Sequence, residues 1–150
     1  MIVERQRSDA PHSLALQEEF FEYVRERYPG WEPGMIPGAD PADVAPPDGS
    51  WVVAYLDGEP VGCAGVKRLD AVTGEVKRVF LRPAARGRGI GRALMAALEA
   101  DGRALGFERL RLDTGDRQPE ALGLFRSLGY REIDDYNGNP FASYWMERAL

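Results

Sequence analysis

Residues 78–99 of the 150-residue chain, RVFLRPAARGRGIGRALMAALE, combine five arginines with three closely spaced glycines. Six basic residues and no acidic residue lie between Val76 and Leu98, although the whole chain has a formal net charge of −5. A glycine inside a helix costs about 1 kcal/mol relative to alanine, so three of them indicate that something approaches the backbone closely. Guanidinium groups beside exposed backbone N–H groups are suited to binding a phosphorylated anion.

Two common phosphate-binding loops do not fit these glycines. The pattern GxxxxGK[ST] needs a lysine after its last glycine, and no lysine follows here. The pattern GxGxxG fails because Arg92 or Leu94 stands where its last glycine would be. A different phosphate cradle, a tight connection that binds nothing and a solvated basic face remain open.

The elements around this segment predict one mixed α/β domain over residues 1–150. Apolar periodicity predicts helices over 13–28, 89–106 and 120–128. Alternation predicts strands over 2–7, 51–56, 60–69, 75–82, 109–113, 130–133 and 143–148. Asp57-Gly58 is expected to form a hairpin turn, and Gly106 and Gly129 to end helices. Residues 29–50 hold six prolines and four glycines, which predicts a long loop with at most one helical turn.

The segment Arg86-Gly87-Arg88-Gly89-Ile90-Gly91 matches [QR]-x-x-G-x-[GA] and resembles the signature of the GNAT acetyltransferases. Residues 74–83, GEVKRVFLRP, look like the central strand of that family. Residues 119–133, PEALGLFRSLGYREI, look like its second helix and following strand. The N-terminal half is similar only in the order of its elements. The resemblance implies a single GNAT-like N-acetyltransferase domain with the acyl-CoA N-acyltransferase fold: α/β, one mixed, mostly antiparallel central sheet flanked by helices.

The resemblance also implies acetyl-CoA as the acyl donor. Its pyrophosphate would bind the glycine segment, Arg86, Gly87, Arg88, Gly89, Ile90, Gly91 and Arg92. Its pantetheine arm would pair, like an added strand, with the backbone of Val79, Phe80 and Leu81. Gln118 matches a position where many members have an asparagine that contacts the arm, and a polar helix cap is the alternative for this residue.

Glu75 is the candidate general base, because it aligns with the base glutamate of the histone-acetylating members. Amine acetylation needs such a group to take a proton before the amine attacks. Alternation predicts that one strand face carries the side chains of Glu75, Lys77, Val79 and Leu81. Glu75 would then lie roughly 13 Å from Val79, near which the thioester is expected, so a water would have to bridge. A strand-end charge paired with Lys77 is the alternative.

Tyr136 is the candidate proton donor to the departing thiolate. The tyrosine that has this role in the resembled family is matched here by Phe125, which cannot donate a proton. Either the thiolate leaves unaided, as a thiol pKa of about 8.5 permits, or a C-terminal tyrosine substitutes. Of Tyr130, Tyr136 and Tyr144, we favour Tyr136 because its loop, DYNGNPF, is expected to border the acceptor site.

Residues 29–50 also bear on the acceptor. They include no Lys or Arg, two apolar residues suited to contact, Trp31 and Met35, and four acids, Glu32, Asp40, Asp43 and Asp48. A lid of this composition favours a cationic acceptor such as a polyamine, an amino sugar or a lysine side chain. A plain surface loop is the alternative.

Composition excludes several other classes of function. One His and one Cys do not supply a His/Cys metal cage, and the apolar neighbours of Cys63 favour a buried thiol over a nucleophile. A basic segment in an acidic chain argues against a broad nucleic-acid surface, and the longest apolar runs cannot span a bilayer. The lone cysteine and the absence of a secretion signal predict a cytoplasmic protein.

These observations predict direct transfer of an acetyl group from acetyl-CoA to a primary amine of a small molecule or peptide. Phe125 and the distance of Glu75 motivate the alternative, a non-catalytic acyl-CoA-binding sensor or regulatory module. A protein-interaction domain with an idle cleft is a third possibility. Because dimers are common in the resembled family, a homodimer is one expected assembly.

Overall fold

Seven strands form one sheet in the computed structural model, which describes residues 1–35 and 38–150. The strands are β1 (Ile2–Arg5), β2 (Gly49–Leu56), β3 (Glu59–Arg68), β4 (Thr73–Leu81), β5 (Arg109–Thr114), β6 (Arg131–Ile133) and β7 (Tyr144–Ala149). They lie in the order β1-β2-β3-β4-β5-β7-β6. β4 and β5 pair in parallel, and the other neighbouring strands pair antiparallel. The prediction of a mixed, mostly antiparallel sheet is confirmed.

Three helices flank this sheet, and each face has its own apolar core. The helices are α1 (Pro11–Arg27), α2 (Ile90–Ala104) and α3 (Pro119–Ser127). The larger core includes Leu94 and Leu98 of α2, Phe125 of α3 and Val76 of β4. The smaller core joins α1 to the sheet through Leu16, Trp51, Cys63 and Phe80. Within the described ranges, no helix combines the length and apolar character needed to cross a membrane.

Glycine ends α2 and α3, as predicted. Gly106 has a φ of +89°, and the N–H of the next residue, Phe107, donates to the carbonyl of Gly102 at 2.8 Å. Gly129 has a φ of +90°, and the N–H of Tyr130 donates to the carbonyl of Phe125 at 3.1 Å. In both helices a left-handed glycine lets the chain return a hydrogen bond to the last turn.

α1 begins two residues earlier than predicted, because Pro11 is favourable in the first turn of a helix. Ser13, expected near the helix start, lies inside α1 and is buried. Its Oγ accepts a hydrogen bond from Nε1 of Trp51 at 3.0 Å, so it links α1 to the sheet. The segment between α1 and β2 has no regular helix or strand in its described part, and β2 begins at Gly49, inside the predicted loop. Ile36 and Pro37 of that loop lie outside the described residues.

One extra residue interrupts β4. Gly65 of β3 pairs with Lys77, whereas Cys63, two residues earlier, pairs with Phe80, so Ala64 alone stands opposite two residues of β4. Arg78 lies at this bulge with a φ of +56°. A bulge of this kind bends the strand and shifts its alternation by one.

The bulge overturns the prediction that Glu75, Lys77, Val79 and Leu81 share one face. Val76 packs in the core beside α2 and Phe80 packs in the core beside α1, although an even number of steps separates them. Val79 and Leu81 contact the α2-side core, and Glu75 and Lys77 flank Val76 on the other face. The prediction was wrong because alternation assumes an unbroken ladder.

Gly65, on β3 next to the residue that faces the bulge, is expected to be intolerant of a side chain. A Cβ there would lie 2.5 Å from Cε3 of Trp51, whose ring fills the α1-side core. Urea denaturation of Gly65→Ala should show a loss of roughly 1–3 kcal/mol in unfolding free energy. The matched control is Gly123→Ala in α3, where nothing lies within 4 Å of the added methyl group and φ is not left-handed. That variant should gain about 0.5–1 kcal/mol. Equal effects of the two substitutions would contradict the packing argument.

Candidate active site

A groove of about 280 Å³, called here the glycine groove, runs from β4 across the start of α2 to the start of α3. Its lining includes ten of the eleven residues predicted to bind the acyl donor: Val79, Phe80, Leu81, Arg86, Gly87, Gly89, Ile90, Gly91, Arg92 and Gln118. The eleventh, Arg88, is exposed beside the groove without lining it. The fold therefore brings the glycine segment, the end of β4 and Gln118 to one surface.

The glycines of this groove serve two different purposes. Gly87 and Gly89 have φ values of +73° and +79°, and nothing lies within 4 Å of the position a Cβ would take. Their backbone turn is one that other residues rarely adopt, and it leaves open space above it. At Gly91 a Cβ would lie 2.9 Å from Cδ2 of Leu124, so the absence of a side chain at Gly91 makes room for the Leu124 side chain of α3. The sequence prediction of close external approach therefore has no support at Gly91.

Backbone donors face the groove at the start of α2. Gly89 occupies the N-cap position, and no side chain caps the helix. Within the part of the chain that the structure describes, the N–H groups of Ile90, Gly91 and Arg92 have no hydrogen-bond acceptor. These donors lie at the positive end of the helix dipole, which favours an anion.

The basic residues of the segment divide into two groups. Lys77 pairs with Glu75 at 3.2 Å, and Arg82 pairs with Glu19 at 2.7 Å. Four arginines of the segment have no carboxylate within ion-pair distance among residues 1–35 and 38–150: Arg78 on β4, and the three at the glycine turn, Arg86, Arg88 and Arg92. Free positive charge is therefore concentrated where the backbone donors are.

β4 also presents free backbone groups to the groove. β4 and β5 pair only from Thr73–Arg109 to Glu75–Arg111, and the two strands separate beyond that point. The N–H of Arg82 donates to Val61 of β3 at 2.8 Å. Because successive residues alternate, the backbone groups of Leu81 and Val79 face the opposite edge, into the gap. An extended ligand could hydrogen-bond to that edge as an added strand does.

A second cavity of about 160 Å³, called here the aromatic cavity, lies between α1, the following loop and the separated ends of β4 and β5. Phe20, Phe21, Tyr28, Trp31 and Phe141 contribute aromatic surface, and Glu32, Lys77, Arg78 and Asp113 contribute charge. The two cavities share four lining residues: Phe20, Val79, Gln118 and Ala121. They therefore meet beside the bulge, where β4 leaves β5.

Comparison with known proteins agrees with this geometry. Residues 12–130 match the sequence model of the acetyltransferase (GNAT) family. A protein of Azospirillum brasilense named IAA acetyltransferase is 34% identical over 141 residues, which are 91% of this chain and 90% of that protein. The chain belongs to the GNAT acetyltransferase family.

Solved structures of other GNAT proteins share the fold. A GNAT-family acetyltransferase from Staphylococcus aureus superposes with a TM-score of 0.81 over 99% of both chains, at 16% identity. A GNAT-family acetyltransferase from Elizabethkingia anophelis, solved with acetyl-CoA bound, gives a TM-score of 0.68 over 99% of this chain and 97% of that one, also at 16% identity. The N-terminal half, which resembles the family in sequence only by element order, is therefore GNAT-like in structure.

The two predicted catalytic residues contact each other. Oη of Tyr136 donates a hydrogen bond to Glu75 at 2.6 Å, and Nδ2 of Asn137 donates to the same carboxylate at 3.3 Å. Glu75 is only 4% exposed and also pairs with Lys77. Burial, with the nearby charge of Glu75, raises the pKa of Tyr136 above its ordinary value. Lys77 lines the aromatic cavity, whereas Glu75 and Tyr136 lie one side chain behind it.

The other tyrosines considered from the sequence lie elsewhere. Tyr130 is buried, its ring packs edge-on against Phe125, and burial raises its pKa. Tyr144 lies on β7 beneath the guanidinium of Arg126. Neither lines the glycine groove or the aromatic cavity. Sequence reasoning missed Tyr28, which lines the aromatic cavity near Phe125.

Tyr28 is fixed at the end of α1 by a contact with the far end of β5. Its Oη accepts a hydrogen bond from the N–H of Arg117 at 3.0 Å, and its ring packs edge-on against Phe141. A Cβ at Gly115 would clash with the Tyr28 hydroxyl, so the glycine makes room for it. No sequence signal identifies these contacts of Tyr28, because Gly115, Arg117 and Phe141 all lie far from it in the chain.

Gln118 occupies the N-cap position of α3, but its side chain makes no capping hydrogen bond. The polar-cap alternative therefore has no support, and the amide is free at the junction of the two cavities.

The described residues contain no group of three or more His, Cys, Asp and Glu side chains that could hold a metal ion.

The predicted acidic lid is largely absent. Of its four acids only Glu32 lines the aromatic cavity, and Glu32 already binds Nε of Arg25 at 3.1 Å. Asp48 pairs with Arg68, and the carboxylate of Asp43 accepts the N–H of Asp40. The prediction missed these partners because it considered the composition of the loop alone, whereas Arg25 and Arg68 lie outside the loop and Asp40 contributes a backbone donor.

Cys63 is fully buried in the α1-side core, and burial raises the pKa of its thiol. We expect the folded protein to react with Ellman's reagent at least about 100-fold more slowly than the chain unfolded in guanidinium chloride. Because Cys63 is the sole cysteine, the absorbance reports this thiol alone. Rapid labelling of the folded protein would contradict the buried placement of Cys63. It would also make a mechanism with an acetylated Cys63 intermediate possible again.

Proposed function

We propose that the protein is an acetyl-CoA-dependent N-acetyltransferase that acts by direct transfer on a primary amine of a small molecule or peptide. The observation that carries this proposal is the meeting of the glycine groove and the aromatic cavity at Val79 and Gln118. One cavity is built for a long phosphorylated ligand, and the other can hold a second reactant. Family membership and the acetyl-CoA bound to a structural relative support it.

In this proposal the diphosphate of the donor accepts hydrogen bonds from the N–H groups of Ile90, Gly91 and Arg92. The guanidinium groups of Arg86, Arg88 and Arg92 offset its charge. The pantetheine arm then pairs with the free edge of β4 at Leu81 and Val79, and the amide of Gln118 is available to it. The thioester lies at the junction beside the bulge, open to the aromatic cavity.

The ammonium group of the acceptor loses one proton to become a nucleophilic amine, its nitrogen bonds to the acetyl carbon, and the carbon–sulfur bond breaks. The nitrogen then loses a second proton as the amide forms, which balances the proton gained by the departing sulfur. Glu75 lies behind Lys77, so we propose that it takes the proton through a bridging water. Tyr136 and Asn137 hold the carboxylate in place and keep it from turning into the core. The direct attack leaves no acetylated protein group.

The departing sulfur needs a proton, and two tyrosines could supply it. The proton of Tyr136 is already donated to Glu75. Tyr28 lies in the aromatic cavity, its oxygen accepts a backbone hydrogen bond, and no described residue accepts its own proton. We therefore propose Tyr28 as the donor, with Tyr136 as a positioning residue for Glu75.

Release of free CoA in the presence of an amine panel tests the proposal. Saturable, amine-dependent release, with an acetylated product of the expected mass, would support it. Saturable CoA binding with no turnover on any amine, and no effect of Glu75→Gln, would favour the alternative of a non-catalytic acyl-CoA sensor.

The cytoplasmic localisation and the homodimer expected from the sequence stay predictions.

Gly89→Ala is expected to weaken CoA binding without unfolding the protein. The methyl group enters the open space where the diphosphate is expected, which should raise the Kd measured by isothermal titration roughly 5- to 30-fold, equivalent to about 1–2 kcal/mol. The left-handed backbone costs alanine about 1–2 kcal/mol more in the free and the bound protein alike, so it lowers Tm and not affinity. Gly106→Ala is the matched control, because Gly106 has a φ of +89° at the other end of α2, with open space around it. It should lower the Tm similarly and leave Kd unchanged. An unchanged Kd in Gly89→Ala would count against the cradle.

Tyr28→Phe and Tyr136→Phe distinguish the two candidate acids. A missing general acid usually lowers kcat about 100-fold or more, and the low pKa of a thiol reduces the expected loss to roughly 10- to 100-fold. We expect this loss in Tyr28→Phe, with little change in the KM for acetyl-CoA. If Tyr136→Phe alone shows it, the sequence-based choice of Tyr136 is correct and Tyr28 serves to pack α1 against β5.

A further inference from the structure

The bulge of β4 places one cation on the wall between the aromatic cavity and a neighbouring cavity that is also lined by Asp9, Gln17, Glu18 and Asp40. Arg78 lines both cavities, and its guanidinium lies over the ring of Phe21, 5.1 Å from the ring centroid. Its side-chain partner is neutral: one guanidinium nitrogen donates to Oε1 of Gln17 at 2.6 Å. Among residues 1–35 and 38–150, no carboxylate lies within ion-pair distance of it.

Gln17 holds this guanidinium in a fixed orientation. It is 4% exposed, and its Nε2 donates to the backbone carbonyls of Ser8 at 2.7 Å and Ser13 at 3.1 Å. With both donors of the amide used inside the protein, Oε1 is fixed toward Arg78. An arginine held in this way loses little conformational freedom when it binds a ligand.

Several carboxylates lie near Arg78, but none in the described part of the chain forms an ion pair with it. Glu32 binds Arg25, and Asp113 accepts a hydrogen bond from Asn137. Asp40 acts on Arg78 electrostatically without forming an ion pair. Burial lowers the pKa of the guanidinium from its ordinary value, which reflects the cost of removing a cation from water. A ligand anion would offset that cost better than water or an amide does.

The walls of the cavity are aromatic on both sides. Phe20, Phe21 and Tyr28 come from α1, Trp31 from the loop after it and Phe141 from the segment before β7. Such surface suits an apolar or aromatic side chain. Because Arg78 is the chain neighbour of Val79, an anion at the guanidinium and an amine at the thioester can belong to one compact molecule.

We propose that the acceptor is an amino acid with an apolar or aromatic side chain, and that Arg78 binds its carboxylate. This inference rests on the proposed N-acetyltransferase function. The acceptor's nitrogen bonds to the acetyl carbon and gives up one proton, the carbon–sulfur bond breaks, and sulfur leaves as the thiol, while the carboxylate is unchanged. The expected acceptor is therefore anionic at one end, in contrast to the cationic amine that the acidic loop suggested.

Paired acceptors that differ only in the carboxylate test the proposal. The pairs are L-leucine with isoamylamine, L-phenylalanine with 2-phenylethylamine and L-tryptophan with tryptamine, each assayed with acetyl-CoA. For the best pair, kcat/KM of wild type should favour the amino acid. Arg78→Gln should remove roughly 10- to 100-fold of that activity, mainly through KM, and leave the decarboxylated amine unchanged. Arg78→Lys should retain part of the preference for the amino acid, since lysine keeps the positive charge but lacks the paired N–H donors with which a guanidinium binds both carboxylate oxygens.

Arg103→Gln is the matched control, because Arg103 is exposed on α2 and lines neither cavity. It should behave as wild type. The Tm and the CoA Kd of each variant report folding. If Arg78→Gln fails to fold, the preference between paired acceptors in Arg78→Lys still decides the question.

Four results would overturn the inference. An equal loss of kcat/KM for the amino acid and for its decarboxylated amine, in a folded Arg78→Gln variant, would indicate that Arg78 has a structural role only. Preference for the decarboxylated amines, or for amines such as spermidine, would leave the N-acetyltransferase function standing and reject the carboxylate. A preference for succinyl-CoA over acetyl-CoA that Arg78→Gln abolishes would assign the guanidinium to the acyl group. Absence of transfer to every amine tested, despite CoA binding, would reject the proposed function itself and this inference with it.

Discussion

The extra residue in β4 at Arg78 is the constraint on which the site depends. It bends the strand away from β5 after three parallel pairs, so the backbone of Val79 and Leu81 stays open on that edge. It also reverses the faces, which puts Val79 toward α2 and leaves Glu75 on the side of α1. The donor edge, the second cavity and the position of the internal cation all follow from this local change in register.

Charge explains why the basic segment is longer than the groove that it serves. Two of the six positive charges are used in ion pairs: Lys77 binds Glu75 within β4, and Arg82 binds Glu19 of α1. Arg78 lines the second cavity, and its hydrogen-bond partner, the amide of Gln17, lies beside that cavity. The remaining arginines lie at the turn before and within the start of α2, close to its unpaired N–H groups. The basic segment therefore has three uses: ion pairing inside the fold, a cation at the second cavity and free charge at the start of α2. Composition alone could not distinguish them.

Local signals in the sequence were sufficient for the fold and for the glycine groove. The Asp57-Gly58 turn, the glycines after α2 and α3 and the alternation of the strands each depend on neighbouring residues. The bulge was missed because unbroken alternation was assumed over residues 75–81, although Lys77 and Arg78 are both basic and residues 79–81 are all apolar. An arginine, not a glycine, adopts the left-handed turn there. Tyr28, Gln17 and the partners of the loop acids were missed for another reason. The contacts of Tyr28 with Arg117 and of Gln17 with Arg78 join residues distant in the chain, and the loop acids are paired by tertiary geometry that no apolar periodicity or glycine pattern records.

The three glycines of residues 87–91 look alike in sequence, but the structure subjects them to unrelated limits. Gly87 and Gly89 are held by backbone conformation, so asparagine, which tolerates left-handed angles, is the natural replacement at either. Gly91 has ordinary helical angles and is held by Leu124, so alanine becomes acceptable there once residue 124 is smaller. Across a set of homologous chains, positions 91 and 124 should vary together, while 87 and 89 vary independently of α3.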